Sequence, residues 1–313
     1  MIAFSHANPN KTVPLSRNKR RYSLEKQEAI TGWLFVLPIL AGFSIFTFFA
    51  ILYSFGISLT RWDLLTSPAY IGFRNYFNVF KDPDFWQCMY NTVYFAAALI
   101  PLVLVLSLSV AIAINQKGIR FATYFKVSFY MPFVTSTIAI GMVWMWIFNP
   151  DTGLLNTILN SIGIDNPPRW FESVVWAKPA IVIMRCWQMT GYYMIMYLAG
   201  LQTIPDNLYE AAEIDGASKW QKTRHITIPL LSNTTFFVLI MLIIDAFNVF
   251  EAVYIMTQGG PSGSTNTMLY YIYDQAFSLY RMGYSSALSW VLFLIVFILT
   301  LIQFKVRKKA AEE

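Results

Sequence analysis

Charged residues are scarce in this sequence: Asp, Glu, Lys and Arg make up 13% of its 313 residues, whereas a typical soluble domain has about a quarter. Cysteine is rarer still. Cys88 and Cys186 show no metal-ligand spacing, so we expect two inert apolar side chains. The sequence also lacks a Gly-x-x-x-x-Gly-Lys-Ser/Thr phosphate loop, a His-Glu-x-x-His and a Gly-x-Ser-x-Gly motif. These absences argue against the corresponding enzyme classes and predict that the chain itself binds no ATP, metal or other cofactor.

Apolar residues, in contrast, supply 56% of the chain, and the mean hydropathy is +0.48. This composition predicts an all-α integral membrane protein. A membrane-spanning helix needs about 20 mostly apolar residues, and six stretches meet that length: 31–59, 90–114, 124–148, 176–202, 231–256 and 284–304. We therefore expect a six-span domain over residues 31–304.

The first thirty residues are polar and basic. A signal peptide would need an apolar core of about 7–15 residues followed by a cleavage site with small residues, and the apolar stretch here is much longer. We expect residues 1–30 to form a retained cytoplasmic tail and residues 305–313 a second, C-terminal tail.

Loop charges predict the orientation, because cytoplasmic loops carry the excess of Lys and Arg. With both termini inside, sixteen of the 23 basic residues face the cytoplasm, six face the other side, and Arg185 lies within a span. The net charge of +6 is then a matter of membrane orientation, and a nucleic-acid partner has no support.

One polar stretch, residues 204–230 between the fourth and fifth predicted spans, interrupts the apolar pattern. It is called the coupling loop below. Asn207-x-x-Glu210 and Ser218-x-x-Gln221 each fit a capping box, in which two side chains satisfy free amides at the start of a helix. The pattern predicts two short helices on the cytoplasmic side.

A glycine and a proline punctuate these two helices. Gly216 stands where the first helix should stop in a left-handed conformation, and Pro229 is expected to close the second helix. Ala211 and Ala212 are small enough to let a partner surface approach closely. The loop is therefore predicted to be a rigid docking element.

The amino-acid sequence of the loop also resembles that of a known family. Glu210-Ala-Ala, Gly216 and Ile226-x-Ile228-Pro229 resemble the EAA loop of permease subunits in binding-protein-dependent ABC importers. Leu208-Tyr-Glu-Ala-Ala-Glu-Ile-Asp-Gly-Ala-Ser218 and Thr257-x-Gly-Gly-Pro261 are similar to the carbohydrate branch, which includes maltose, oligosaccharide and glycerol-phosphate permeases.

The resemblance implies an architecture and a set of partners. In that family the loop is a coupling helix seated in a cleft of the ATPase subunit, which assigns ATPase coupling to Glu210, Ala211, Ala212, Asp215 and Gly216. The implied partners are a second permease subunit, two ATPase subunits that hold ATP and Mg²⁺, and an extracellular or periplasmic substrate-binding protein. The implied location is the bacterial cytoplasmic membrane, and the implied cargo is a sugar.

Polar residues inside two spans predict a site near mid-membrane, since intramembrane charges usually face a cavity or the bundle interior. Arg185, Gln188 and Tyr192 recur at i, i+3 and i+7, on one helical face, while Asp245 and Asn248 share another. Arg185 lies roughly 12 Å and Asp245 roughly 16 Å from the outer end of its span at about 1.5 Å per residue.

The resemblance indicates the same region. In maltose-type permeases the sugar contacts lie on the spans flanking the EAA loop, and the matching positions here are Arg185, Gln188, Met189, Tyr192, Asp245 and Asn248. A sugar site needs amides and carboxylates to bind the hydroxyl groups of the sugar and an aromatic face to pack against its ring. Tyr192 or Trp187 would supply that aromatic face. Maltose permeases have asparagine where Arg185 and Asp245 stand, so the bound sugar is expected to differ.

Two questions stay open at this level. Arg185 and Asp245 could contact the cargo, or they could form a salt bridge that only joins two spans; an unpaired Arg185 would favour an anionic cargo such as a uronide or a sugar phosphate. Six spans with buried charges also fit a secondary transporter driven by an ion gradient, although the two halves of the chain do not resemble each other. A membrane scaffold without transport would leave Arg185 and Asp245 unexplained.

Overall fold

The computed structural model of the protein describes residues 18–116 and 120–312. Residues 1–17 of the predicted tail, Lys117 of the predicted cytoplasmic loop and Glu313 lie outside the described residues. The described chain falls into two compact units, one ending at Gly56 and the other beginning at Ile57.

The described part of the first unit, from Asn18 onward, is one long helix. Helix α1 (Asn18–Phe43) continues through a π-helical turn (Ser44–Phe48) into α2 (Phe49–Ser58), with Pro38 inside. Its 33-residue stretch Lys26–Ser58 is long and apolar enough to cross a membrane, as the sequence predicts for 31–59.

The second unit is helical apart from one short ribbon, in which β1 (Thr60–Arg61) pairs antiparallel with β2 (Ala69–Tyr70). Its helices follow in chain order: α3 (Arg74–Lys81), α4 (Pro83–Ile114), α5 (Ala122–Val134), α6 (Thr137–Ile147), α7 (Leu154–Ser161), α8 (Ala177–Leu201), α9 (Asp206–Ile214), α10 (Lys219–Lys222), α11 (Ile228–Leu230), α12 (Ser232–Phe247), α13 (Glu251–Met256), α14 (Met268–Tyr273) and α15 (Met282–Glu312). A 3₁₀ turn at Trp170–Glu172 and π-helical turns at Thr223–Thr227 and Asp274–Ser278 complete the list.

Four helical stretches of the described chain are long and apolar enough to span a membrane: Lys26–Ser58, Pro83–Ile114, Ser232–Met256 and Met282–Arg307. They agree in place and length with the first, second, fifth and sixth predicted spans, although the fifth is interrupted at residues 248–250, between α12 and α13. Helix α8 matches the fourth predicted span, 176–202, in position and length. It is not among the four stretches that are apolar enough to span a membrane. Polar residues such as Arg185 and Gln188 lower its hydropathy.

The third predicted span, 124–148, is wrong as a single helix. Helices α5 and α6 are bent by 98° relative to each other, and the bent pair would count as a fifth span only if it crosses as one unit. The break lies at Thr135 and Ser136, whose backbones are extended. Thr135 Oγ1 donates a 2.9 Å hydrogen bond to the Met131 carbonyl, but Thr92 makes the same kind of contact inside the unbroken α4, so this bond alone does not end the helix.

Helix α8 lies at the centre of the second unit and packs against α4 and α5. Tyr193 and Tyr197 are among its fully buried side chains. At Gly191 the backbones of α8 and α5 approach so closely that a Cβ would collide with the Phe129 carbonyl. The polar residues of α8 are therefore held on a tightly packed scaffold.

A carboxylate organises the end of the unit where α4 and α15 begin. Asp82 accepts a 3.0 Å hydrogen bond from the Asp84 amide, which caps α4, and its Oδ2 accepts bonds from the hydroxyls of Tyr271 (2.7 Å) and Tyr284 (2.5 Å). Burial raises the pKa of Asp82, but the bonds from Tyr284 and Tyr271 and nearby amides outweigh burial, so the pKa falls below its ordinary 3.8. We call this end, comprising β1, β2, α3 and the first turns of α4 and α15, the distal platform.

Replacing Asp82 with asparagine is expected to destabilise the distal platform by about 2 kcal/mol or more, because bonds to a charged acceptor each contribute roughly 1.5–3 kcal/mol. Since the folded pKa is depressed, the contribution is present above pH 3.8 and disappears as the pH falls through the lower folded value. Thermal unfolding in detergent at neutral pH measures the loss. The exposed Asp165→Asn is the control, and equal melting temperatures for the two variants would contradict the assignment.

Candidate functional site

The first half of the coupling loop begins differently from the prediction. Helix α9 starts at Asp206, its N-cap is Pro205, and no side chain caps it, so the predicted Asn207/Glu210 capping box is wrong. Pro205 holds an extended backbone (φ −63°, ψ 132°) that starts the helix before Asn207 can act as the cap.

The second capping box is confirmed. The Ser218 amide donates to Gln221 Oε1 at 2.8 Å, and the Gln221 amide donates to Ser218 Oγ at 3.3 Å. Between the two helices Gly216 adopts φ +76°, the left-handed conformation expected of it. The Ala217 amide donates to the Ala212 carbonyl at 2.8 Å, which closes the end of α9.

The sequence predicts that Pro229 ends the second helix, and this prediction is wrong. The chain stays helical from α10 through the π-helical turn into α11, where Pro229 occupies the first turn. Because the helix is continuous, Pro229 lacks an amide donor inside it, directly after a π-helical turn that already departs from the α-helical hydrogen-bond pattern. The helix ends at Leu231, directly before α12.

The coupling loop is braced internally and exposes its docking residues. Lys222 Nζ forms a 2.6 Å ion pair with Glu213, and the hydroxyls of Tyr209 and Thr227 lie 2.9 Å apart, so α9 is tied to the second helix twice. The predicted coupling residues lie at the surface of the loop. Ala212 is half-buried, and the other four are exposed: Glu210, Ala211, Asp215 and Gly216.

Two large apolar side chains flank the coupling residues. Ile214 is 87% exposed and Trp220 is 67% exposed. Both side chains leave apolar surface uncovered by this chain on an otherwise polar, internally braced element. The geometry fits docking to another protein.

The second candidate site lies at the break between α5 and α6. Arg185 Nη1 donates a 2.8 Å hydrogen bond to Gln188 Oε1, and Gln188 Nε2 donates to Thr137 Oγ1 at 3.1 Å. Gln188 is 2% exposed. Its amide thus connects α8 to the first residue of α6, and this polar chain runs through the packed core.

Asp245 takes a different partner from the one considered in the sequence. Its Oδ2 accepts a 2.5 Å hydrogen bond from the Tyr193 hydroxyl, which joins α12 to α8. Among the described residues no ion pair joins Arg185 to Asp245. The Nε of Arg185 is buried and has no acceptor there, so the guanidinium keeps unused donor capacity.

The other predicted site residues occupy different surroundings. The Tyr192 ring stacks on Phe133 with centroids 4.4 Å apart, whereas Met189 is fully buried in the core and Asn248 is exposed at the end of α12. The structure therefore gathers Arg185 and Gln188 into one hydrogen-bonded chain, but it gives Met189 and Asn248 no polar role.

A cavity of about 340 Å³ lies at the bend between α5 and α6, and Arg185, Gln188 and Thr137 are not among its lining residues. Its lining is mostly apolar and includes Trp187, whose ring centre is 5.7 Å from that of Trp144. The remaining wall residues come from the two bent helices: Ser128, Met131, Pro132, Thr135, Ala139, Ile140 and Val143.

Sequence reasoning missed Thr137 and Tyr193. Thr137 could not be found because the break that makes it a first-turn residue was not predicted. The role of Tyr193 could have been predicted from the sequence. The hydroxyl of a buried tyrosine generally needs a hydrogen-bond partner, and Asp245 is an acceptor on a neighbouring span.

Comparisons with known proteins identify the family of the chain. Residues 104–311 match the family described as "Binding-protein-dependent transport system inner membrane component". A lactose transport system permease protein of Rhizobium radiobacter is 36% identical over 91% of this chain and 96% of its own length. A trehalose/maltose transport system permease protein of Thermococcus litoralis is 34% identical over 92% and 97%.

A solved structure shares the fold. One chain of a bacterial ABC transporter involved in the import of the acidic polysaccharide alginate superposes with a TM-score of 0.80 and 22% identity, covering 93% of this chain and 99% of that one. The family match covers more than half of the present chain, including the coupling loop and both helices that flank it. The chain therefore belongs to the inner-membrane components of binding-protein-dependent transport systems, and it is a multi-pass permease subunit of an ABC importer.

Proposed function

We propose that this permease subunit carries a sugar, a disaccharide or short oligosaccharide, across the membrane by ATP-driven alternating access. The observation that carries the proposal is the polar chain from Arg185 through Gln188 to Thr137, which ends at the start of α6, next to the break with α5 where a cavity opens. The relatives named for lactose and for trehalose/maltose support a sugar as the cargo.

In this proposal the cargo lies against the polar chain. Arg185, Gln188 and Asp245 bind hydroxyl groups, while Tyr192 or Trp187 offers an aromatic face to the sugar ring. Met189, which is buried, supports the site by packing, and Asn248 contributes from the exposed end of α12. The ring stacking between Tyr192 and Phe133 keeps one aromatic face fixed.

The proposed topology has six membrane crossings and both termini in the cytoplasm. The bent pair α5–α6 counts as one crossing and α8 as another. With 25 residues, α8 is roughly 37 Å long at about 1.5 Å per residue, enough for a bilayer core. Its polar residues then face the packed interior rather than lipid.

The coupling loop is the proposed contact to an ATPase subunit. Glu210, Ala211, Ala212, Asp215 and Gly216 form its docking face, and Ile214 and Trp220 insert into the cleft of the partner. Two ATPase subunits bind ATP and Mg²⁺, a second permease completes the translocation path, and a substrate-binding protein delivers the cargo.

Connectivity explains how the loop would move the site. Only residues 202–205 separate α8 from α9, and Leu231 alone separates α11 from α12. The helix before the loop carries Arg185 and Gln188, the helix after it carries Asp245, and the Tyr193 hydroxyl bond joins the two. A displacement of the loop is therefore transmitted to both walls of the proposed site.

Reconstitution of the chain with its second permease, ATPase and binding-protein partners in proteoliposomes tests the proposal. Labelled disaccharides and trisaccharides are expected to accumulate inside only when ATP and the binding protein are both supplied. Uptake by this chain alone under an ion gradient, without ATP, would instead support secondary transport. ATP-dependent uptake that excludes every sugar in the panel would contradict the cargo assignment.

A further inference from the structure

The distal platform contains a second cavity, whose lining residues belong neither to the polar chain of Arg185 nor to the coupling loop. Its volume is about 750 Å³, and it opens between the ribbon, α3 and the start of α15. Four cationic residues line it, and all four are exposed: Arg61, Arg74, Lys81 and Arg281.

The carboxylates in the same wall do not balance these cations. Asp63 accepts hydrogen bonds from Leu65 and Thr66 in its own turn, and Asp82 is held by Tyr271 and Tyr284. Four cationic residues and two carboxylates line the cavity, which leaves an excess of two positive charges. None of the ion pairs among the described residues involves these four cations.

The framework that carries the cations is rigid. The Asn75 side-chain amide donates to the carbonyls of Ser58 and Thr60, each at 2.8 Å, and so fixes α3 to the ribbon. The start of α15 packs so tightly on the ribbon that a Cβ on Gly283 would collide with the Thr60 carbonyl. The cations therefore project from a preformed wall.

An apolar surface adjoins the cavity. Helix α3 buries Asn75 and Val79, while Phe77 (68%) and Phe80 (53%) are exposed. Arg281 immediately precedes the apolar stretch Met282–Arg307, and Lys81 lies two residues before Pro83, where α4 begins. These two cations thus lie just before the first residues of α4 and α15, two helices long enough to extend past the hydrocarbon core to the headgroup level on this side.

We infer that this cavity binds the phosphate group of an anionic phospholipid, with Phe77 and Phe80 resting against the acyl chains. Guanidinium groups bind phosphate oxygens through paired hydrogen bonds, and exposed phenylalanines next to basic residues are typical of helices that lie in the membrane interface. The position of the cations and the phenylalanines beside the ends of two apolar helices favours a lipid over a protein partner. The inference does not depend on which cargo the permease carries.

The location separates this site from the coupling loop. The cavity adjoins the first turn of α4, whereas a cavity beside the coupling loop adjoins Ile112 at its other end. With 32 residues, α4 is roughly 48 Å long at about 1.5 Å per residue. The lipid would therefore occupy the leaflet opposite the ATPase side.

Thermal unfolding of the purified, delipidated permease complex with added phosphatidylglycerol tests the inference. Phosphatidylglycerol is expected to raise the melting temperature, and zwitterionic phosphatidylcholine is not. The double variant R74Q/K81Q is expected to bind phosphatidylglycerol about 30-fold more weakly, since each basic residue near an anionic membrane contributes roughly 1 kcal/mol. The charge-matched R120Q/R169Q, outside the cavity, keeps the wild-type response.

The alternatives give distinct results. If R74Q/K81Q melts at the wild-type temperature without lipid, the variant is folded and its lipid response is interpretable; if it does not, the single variant Arg281→Gln replaces it. Equal shifts with both lipids overturn the inference. A full shift with inorganic phosphate alone shows that the source is free phosphate and overturns the lipid assignment. An unchanged lipid response together with lost binding of the substrate-binding protein assigns the cavity to protein docking.

Discussion

Gly216→Ile is expected to reduce substrate-stimulated ATP hydrolysis of the assembled importer at least tenfold while leaving the chain folded. Gly216 has φ +76°, and a Cβ there would meet nothing within 4 Å. The chain itself therefore has room for a side chain. The expected loss of ATP hydrolysis has two causes: strain in the left-handed backbone, and obstruction of the docking face by the isoleucine side chain.

The backbone effect has an estimable size. A left-handed residue other than glycine costs roughly 1–2 kcal/mol, and a β-branched one costs more. If the dockable conformation of the loop loses that much free energy, its population falls by about one order of magnitude or more, and apparent affinity for the ATPase falls in proportion. The capping box of Ser218 and Gln221 begins two residues later, so the second helix would be displaced as well.

The chain offers a matched control in Gly163, which also has positive φ (+90°) and open space around its Cβ position. Gly163→Ile introduces the same backbone strain after α7, outside the coupling loop, and is expected to keep coupled hydrolysis. Gly216→Asn separates strain from obstruction, because asparagine tolerates the left-handed conformation. Coupled hydrolysis at the wild-type level in Gly216→Ile, with the complex intact, would contradict the docking role.

Local patterns in the sequence were sufficient for most of the helices and for the second cap. Apolar runs of sufficient length predict the long helices α4, α12 and α15. The Ser218/Gln221 box depends on residues three apart and was therefore predictable. The Asn207 box failed because Pro205, just before it, fixes an extended backbone and starts the helix at Asp206.

The contacts of the candidate site could not be predicted in the same way. Helical periodicity places Arg185 and Gln188 on one face of α8, but Gln188 meets Thr137, 51 residues away, only because the chain bends at Thr135. Threonine and serine occur in straight membrane helices too, so the bend has no unambiguous local signal. Likewise, spacing alone could not show whether Asp245 is bound by Tyr193 or by Arg185.

Arg185 donates a hydrogen bond to Gln188, and its loss should strongly impair transport. Arg185→Met is expected to lower the rate of import at least tenfold, chiefly through a higher KM. Methionine keeps a long side chain but removes the donor that orients Gln188 at 2.8 Å, and it removes the charge offered to the cargo. A hydrogen bond from a charged group contributes roughly 1.5–3 kcal/mol, which corresponds to about tenfold or more in affinity. Uptake of labelled sugar over a concentration series gives KM, while basal ATP hydrolysis and size-exclusion chromatography report on assembly.

The double variant R185M/D245N distinguishes a contact with the cargo from simple charge balance. If Arg185 only compensates the Asp245 carboxylate, removing both charges restores import to the wild-type rate, and the proposed binding role is wrong. If Arg185 contacts the cargo, the double variant stays impaired even though assembly is normal. Tyr193→Phe is the matched control on the same helix: it removes the hydroxyl bonded to Asp245 but leaves the pair of Arg185 and Gln188 intact, so its KM should change less than that of Arg185→Met.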